Sequence, residues 1–192
     1  MLVPEVSAGA PKAPVPPNLI VRRTIGAHLP PPMPQATLCF VIQNDRVLLI
    51  RKKRGVGAGK INGPGGKVES GETMLESAVR ETREEVGITP IDPVLRGLLT
   101  FDFTGREILH CGVFLTHAFA GEPVETDEAI PLWFPTDSMP YDEMWDDDRV
   151  WFPLLLAGKC FRGSARVEPG EQVHDIHVEE ISVVELAALG PA

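Results

Sequence analysis

Residues 66–88 read GKVESGETMLESAVRETREEVGI, and this stretch decides the reading of the whole chain. Glu81, Glu84 and Glu85 stand at i, i+3 and i+4, so a helix here presents three carboxylates on one face. Like charges at that spacing repel, and a hard divalent cation with oxygen ligands is the simplest counter-charge. Arg80 lies among them, one turn from both Glu76 and Glu84, and Glu72 falls on the same stretch. Thr73 predicts a helix N-cap, and Glu76 three residues on completes a capping box. Gly87 predicts the stop. Leu75, Ala78, Val79, Thr82 and Val86 form the expected buried stripe. Upstream, the NGPGGK turn from Asn62 to Lys67 predicts unusual backbone angles and close approach of a ligand.

Working outward, 192 residues suffice for one domain with a sizeable core. A net charge of −9 argues against a nucleic-acid surface or an anionic membrane as partner. It does not exclude a polyphosphate substrate, because bound cations invert the local electrostatics. Cys39, Cys111 and Cys160 have neither metal-binding spacing nor a disulfide pattern, which suggests a reducing compartment. No apolar run is long enough to span a membrane, and the N-terminus lacks the order of a signal peptide.

Residues 1–34 are of another composition, holding about half of the 19 prolines. They are expected to form an extended tail, with the proline run at 30–34 a candidate ligand for a proline-reading module. The folded domain is expected over 35–185, followed by a short tail over 186–192. Strands are predicted at 36–43 and 46–51 around Asn44-Asp45, at 94–103 and 107–118 around Thr104-Gly105, and at 129–134. A second helix is predicted over 147–156, with Asp146 to Asp148 at its positive end, and a last hairpin over 162–167 and 172–181. That order implies the α/β class, a mixed sheet between helices. His174 and His177 fall at strand spacing in the last hairpin and are assigned no metal.

Gly66, Glu72, Arg80, Glu81, Glu84, Glu85, Gly87 and Ile88 fit the Nudix box, G-x5-E-x7-R-E-U-x-E-E-x-G-U, where U is bulky and apolar. The chain therefore resembles the Nudix hydrolases. Thr82 is the one departure, at an apolar position that touches no ligand. Outside the box, KKRGVGAGKINGPGGKV (52–68), PVETDE (123–128) and DEMWDDDRVWFPLLL (142–156) resemble the MutT-type sanitising enzymes, particularly the animal form, which hydrolyse oxidised purine nucleoside triphosphates. The resemblance runs from about Thr37 to Ile181.

That resemblance implies the Nudix alpha-beta-alpha sandwich, dependence on magnesium with manganese able to substitute, and cleavage to monophosphate and pyrophosphate. It implies a cytoplasmic, monomeric enzyme with a small-molecule nucleotide as its partner. By position, Glu81, Glu84 and Glu85 become metal ligands and catalytic groups. Arg80 orients them, and the Gly66 carbonyl and Glu128 are further metal-ligand candidates. Asn62 is implied to bind the purine, Trp145 to lie over it, and Asp147 and Asp148 to face its edge. Lys52 or Lys53 is implied to meet the polyphosphate, and Phe101, with Phe103 and Leu109, to line the pocket. Val56 and Ile61 stand where the animal enzymes carry aromatic residues, so the preferred lesion is open. Two alternatives stand beside this reading. Hydrolysis of another nucleoside diphosphate derivative such as ADP-ribose is weighed down by Asn62 and the Trp145-Asp147-Asp148 group. A non-catalytic binding module is weighed down by the intact box glutamates.

Overall fold

The computed structural model describes residues 35–189, so the expectations placed on 1–34 lie outside it. Strand β1 (Gln35–Gln43) turns through Asn44 and Asp45, both at positive φ, into β2 (Arg46–Lys52). Paired positive angles match the right-handed twist of a two-residue hairpin, and Asn and Asp accept them best. β3 (Ile61–Asn62) follows a glycine-rich loop and leads to helix α1 (Met74–Val86). Then come β4 (Thr89–Ile91), β5 (Val94–Phe103), β6 (Ile108–Thr116), β7 (Ala118–Ala120) and β8 (Ala129–Pro135). A single 3-10 turn at Tyr141–Glu143 precedes helix α2 (Asp148–Leu156), strands β9 (Cys160–Val167) and β10 (Val173–Ile181), and helix α3 (Val183–Leu189).

The main sheet runs β10-β9-β5-β6-β1-β2-β3, with β8 also on β2. It is mixed: β1 pairs parallel with β6, and β5 with β9, while the other pairings are antiparallel. β4 and β7 form a separate two-stranded sheet. Central β1 is apolar on both faces, as a strand covered twice must be. Ala36 and Phe40 pack with Trp151, Phe152 and Leu155 of α2, whereas Cys39 packs with Met74 and Ala78 of α1. The α/β sandwich expected from sequence is therefore present.

α1 begins and ends as the sequence predicts. The Thr73 side chain accepts from the Glu76 N–H, Glu76 accepts from the Thr73 N–H, and Gly87 closes the helix in the left-handed conformation at φ 77. Its buried stripe is rotated from the expected one. Met74, Ser77, Ala78, Thr82, Glu85 and Val86 are buried, and Leu75 is 45% exposed. The rotation follows from Glu85, which turns inward to a backbone donor described below. Thr82 is accommodated by giving its hydroxyl hydrogen to the Ala78 carbonyl at 2.7 Å.

Helix α3 runs through residue 185, with Ser182 and Glu185 forming a second capping box and Leu186 buried. The three cysteines are free and buried. No helix among the described residues is long and apolar enough to cross a membrane.

Candidate active site

The loop Gly63–Gly66 is laid against β1. Cys39 N–H donates to the Pro64 carbonyl at 2.8 Å, Thr37 N–H to that of Gly66 at 2.9 Å, and Val68 N–H to that of Gln35 at 2.9 Å. A Cβ would clash at each of the three glycines of this loop, on Gly63 at 2.5 Å from the buried Phe40 ring. A Cβ on Gly65 would lie 1.9 Å from the Thr37 carbonyl oxygen, and one on Gly66 would lie 2.4 Å from the Glu81 carboxyl carbon. The Glu81 carboxylate thus rests directly on the Gly66 backbone.

Arg80 organises the acidic face of α1. Its guanidinium grips Glu72 with two parallel bonds, Nε to Oε1 at 2.8 Å and Nη2 to Oε2 at 2.9 Å. Nη1 donates to Glu81 at 2.8 Å and to Glu84 at 3.0 Å, and Nη2 donates to the Lys67 carbonyl at 3.2 Å. Of the two neighbours expected for Arg80, Glu84 is a partner, while Glu76 is occupied by its cap. Glu85 is buried and held apart from Arg80. Its Oε2 accepts the Gly65 N–H at 2.9 Å, and its Oε1 lies 3.4 Å from Lys52 Nζ. Burial pushes the Glu85 and Glu81 carboxyls above the usual range, opposed by Lys52 and Gly65 in one case and by Arg80 in the other.

Glu128 pairs with Arg54, and its charge reaches Glu81. Among the described residues these carboxylates do not converge as a ready group of three. Each is held by a protein cation or amide.

The Arg80 grip holds the Glu72 carboxyl down to about 2, from an ordinary value of 4.5. A depressed carboxylate stabilises the fold above its unfolded pKa, and the effect is lost as pH falls through the folded value. Glu72→Gln should therefore lower Tm at neutral pH, with the gap to wild type closing between pH 4.5 and about 2. A gap unchanged across that window in a thermal melt would remove Glu72 from the clamp.

On the other side of the same loop is a cavity of about 420 Å³. Lys52, Asn62, Phe101, Trp145, Asp147 and Asp148 line it, together with Gly65 and Gly66. Asp147 and Asp148 are both buried. Asp147 Oδ2 accepts the Trp151 indole N–H at 3.0 Å, and Asp148 Oδ2 accepts the Trp145 backbone N–H at 3.0 Å. Asp147 makes no cap bond to α2. Burial raises both carboxyls, that of Asp148 well above the ordinary range, with the charge of Asp147 adding to the effect of burial. Asn62 Oδ1 accepts the Gly63 N–H at 2.8 Å, which leaves its NH₂ group to donate.

Not every expected residue gathers here. Lys53 reaches Glu125 and the Thr126 carbonyl instead of the cavity. Val56 lines the cavity, but Ile61 is wholly buried in the core and contributes packing only. Cys111, Trp151 and Val167 line the cavity and are absent from the expected set. Strand alternation could have found Cys111, two residues on from Leu109. Trp151 lies one helical turn beyond Asp147.

The chain thus combines a mixed sheet between helices with an acidic helix set against a glycine loop and a cavity beside it. A family model described as the NUDIX domain matches residues 32–155, and the chain belongs to the Nudix family of hydrolases. It is 46% identical over 145 residues to a protein of Danio rerio named oxidized purine nucleoside triphosphate hydrolase, covering 74% of this chain and 90% of that protein. It is 40% identical over 147 residues to the protein of the same name in Mus musculus, covering 76% of this chain and 94% of that one. Among solved structures, a mutator MutT protein from Bacillus halodurans superposes with a TM-score of 0.69 at 27% identity, over 77% of this chain and 98% of that chain.

Proposed function

We propose that this chain is a divalent-cation-dependent hydrolase that cleaves oxidised or otherwise modified purine nucleoside triphosphates to monophosphate and pyrophosphate, sanitising the nucleotide pool. One observation carries the reading. Gly65 and Gly66 line the cavity, and the same two residues hold the box glutamates, through the Gly65 N–H on Glu85 and the close contact of Gly66 with Glu81. A purine in the cavity therefore has its phosphates leading toward the carboxylates.

The donor set suits magnesium, with manganese as a substitute. Glu81, Glu84, Glu85 and Glu128 are carboxylates, the Gly66 carbonyl adds a neutral oxygen, and hard cations take such oxygens. When bound, the ion neutralises charge growing on the phosphate oxygens and polarises the attacking water. The chain's own residues do the rest. Arg80 holds Glu81 and Glu84 by charge-assisted hydrogen bonds, which limits the rotamers their carboxylates can take. A box glutamate within reach of the water accepts its proton. The Lys52 ammonium, already at Glu85, offers positive charge to the polyphosphate. The Asn62 amide and the Asp147–Asp148 pair read the base edge, while Trp145 supplies stacking area.

The test is product identification on a panel of 8-oxo-dGTP, dGTP, ADP-ribose and a dinucleotide, with and without EDTA. Release of pyrophosphate, fastest from 8-oxo-dGTP and abolished by EDTA, is expected. Preferential cleavage of ADP-ribose would reject the reading. Residues 1–34 lie outside the resemblance, and a chain beginning at Met33 is expected to match the full-length protein in Tm and turnover. A clear fall in either quantity would assign the segment a role in the enzyme.

A further inference from the structure

The glycine loop between β2 and β3 is tied down by the turn between β9 and β10. Gly57 N–H donates to Glu171 Oε1 at 2.8 Å, joining residues 114 apart in sequence. Glu171 sits in the turn between β9 and β10 at φ 64, in the left-handed region that side chains other than Asn and Asp seldom adopt. Its own N–H closes that turn on the Glu168 carbonyl at 3.0 Å. The turn therefore aims a carboxylate at a backbone N–H, giving a charge-assisted bond stronger than a neutral one.

The other side of Gly57 meets Trp145. A Cβ added at Gly57 would stand 3.0 Å from Cζ2 of the indole and 3.3 Å from its Nε1, so backbone and ring are in contact. Lys60 from the same loop places its Nζ 5.0 Å from the centre of the Trp145 ring, a cation–π contact. The loop is braced internally by Gly59 N–H on the Lys52 carbonyl at 2.8 Å and Lys60 N–H on that of Gly57 at 3.0 Å. A shift at Gly57 is thus passed to Lys60, and both of their contacts with the indole change together.

We propose that Glu171 is a positioning residue for purine recognition: its carboxylate holds Gly57, and through Gly57 and Lys60 it fixes Trp145 in the geometry that accepts a base. The inference rests on the reading of Trp145 as the base platform. Glu171 touches neither the box nor the cavity lining, so its effect falls on substrate binding and not on the chemical step.

The experiment compares Glu171→Ala and Glu171→Gln with wild type. Glutamine keeps an acceptor oxygen at the same reach, and alanine has none. Glu171→Ala is expected to raise KM for 8-oxo-dGTP by about fivefold to tenfold, as loss of one charge-assisted hydrogen bond would, with kcat within about twofold. Glu171→Gln is expected to stay near wild type. Acrylamide quenching of tryptophan emission should increase in Glu171→Ala, and the increment should vanish when both proteins also carry Trp145→Phe. An unchanged KM in Glu171→Ala overturns the proposal, as does a fall in kcat and Tm with KM unmoved, which is how a purely structural turn residue behaves. If wild type turns over no modified purine nucleotide, the proposed substrate fails instead. The quenching increment then supports the Glu171–Gly57–Trp145 linkage, and its absence overturns it.

Discussion

Glu84→Gln and Glu85→Gln are each expected to lower kcat by about 10²–10⁴-fold, the range for removing a positioned acid–base group, while both proteins stay folded. The two variants test different parts of one cluster. Glu84 is more than half exposed, and its only described partner is Arg80 one turn away, a surface pair worth about 0.3–0.5 kcal/mol. Its loss should hardly move Tm, so any fall in turnover belongs to chemistry. Glu85 is buried, but glutamine retains an oxygen for the Gly65 N–H and removes a carboxylate that burial destabilises. Steady-state kinetics across a magnesium titration, beside a thermal melt, separate the outcomes. Turnover like wild type in both variants would end the assignment of this helix face as the catalytic centre.

Asp147→Asn and Asp148→Asn are expected to change the ranking among 8-oxo-dGTP, 2-hydroxy-dATP and an O6-alkylated guanine nucleotide, with magnesium dependence little altered. The argument starts from proton occupancy. Two buried aspartates next to one another disfavour double ionisation, and burial raises both carboxyls, so the pair can present a donor beside an acceptor to a base edge. Asparagine fixes the donor permanently at one position, which favours one base edge over another. The same pair makes a stability prediction of definite sign. A carboxyl raised by folding stabilises the native state at low pH, and this contribution is lost as pH rises through the folded pKa. Wild-type Tm should therefore fall more steeply than that of Asp148→Asn as pH rises above the ordinary Asp value of 3.8, since the amide oxygen of that variant can still accept the Trp145 N–H. A helix cap would behave otherwise, its removal costing about 0.5–2 kcal/mol with the substrate ranking intact. That pattern, measured as kcat/KM on the three nucleotides, would reject base reading by this pair.

Much of this was legible because it is local. Thr73, Glu76 and Gly87 specify where α1 starts and stops through bonds that close within four residues, and the spacing of its glutamates follows from helical period alone. What was not legible depends on contacts distant in sequence. Apolarity alone places Leu75 in the buried stripe of α1, yet it is 45% exposed. The fold instead rotates Glu85 inward because an N–H 20 residues away, on Gly65, awaits it. Lys52 and Lys53 are indistinguishable as residue types, yet alternation along the end of β2 sends one to Glu85 and the other to Glu125. Ile61 and Val56 both replace aromatic residues of the resembled family, but only the packing of β3 against the core separates a buried residue from one at the cavity. Helix α3 carries little periodic signal in its seven residues, and the capping box at Ser182 and Glu185 is its clearest mark in the sequence.

The seating of Gly63–Gly66 along β1 bears on how such an enzyme can change. The amides of Thr37 and Cys39 in the central strand are satisfied by this loop, so moving it would leave two donors on buried residues without partners. The phosphate-cleaving half is therefore locked to global stability and has little freedom to drift. The rest of the cavity lining does not seat on the central strand in this way: the Val56 side chain is exposed on its loop, and Leu109, Cys111 and Val167 present single side chains from strand positions whose backbones are already paired. Substitutions there can reshape what the cavity admits one side chain at a time. One molecule thus joins a rigid chemical engine to an adjustable filter, and divergence in nucleotide preference can proceed without renegotiating the chemistry.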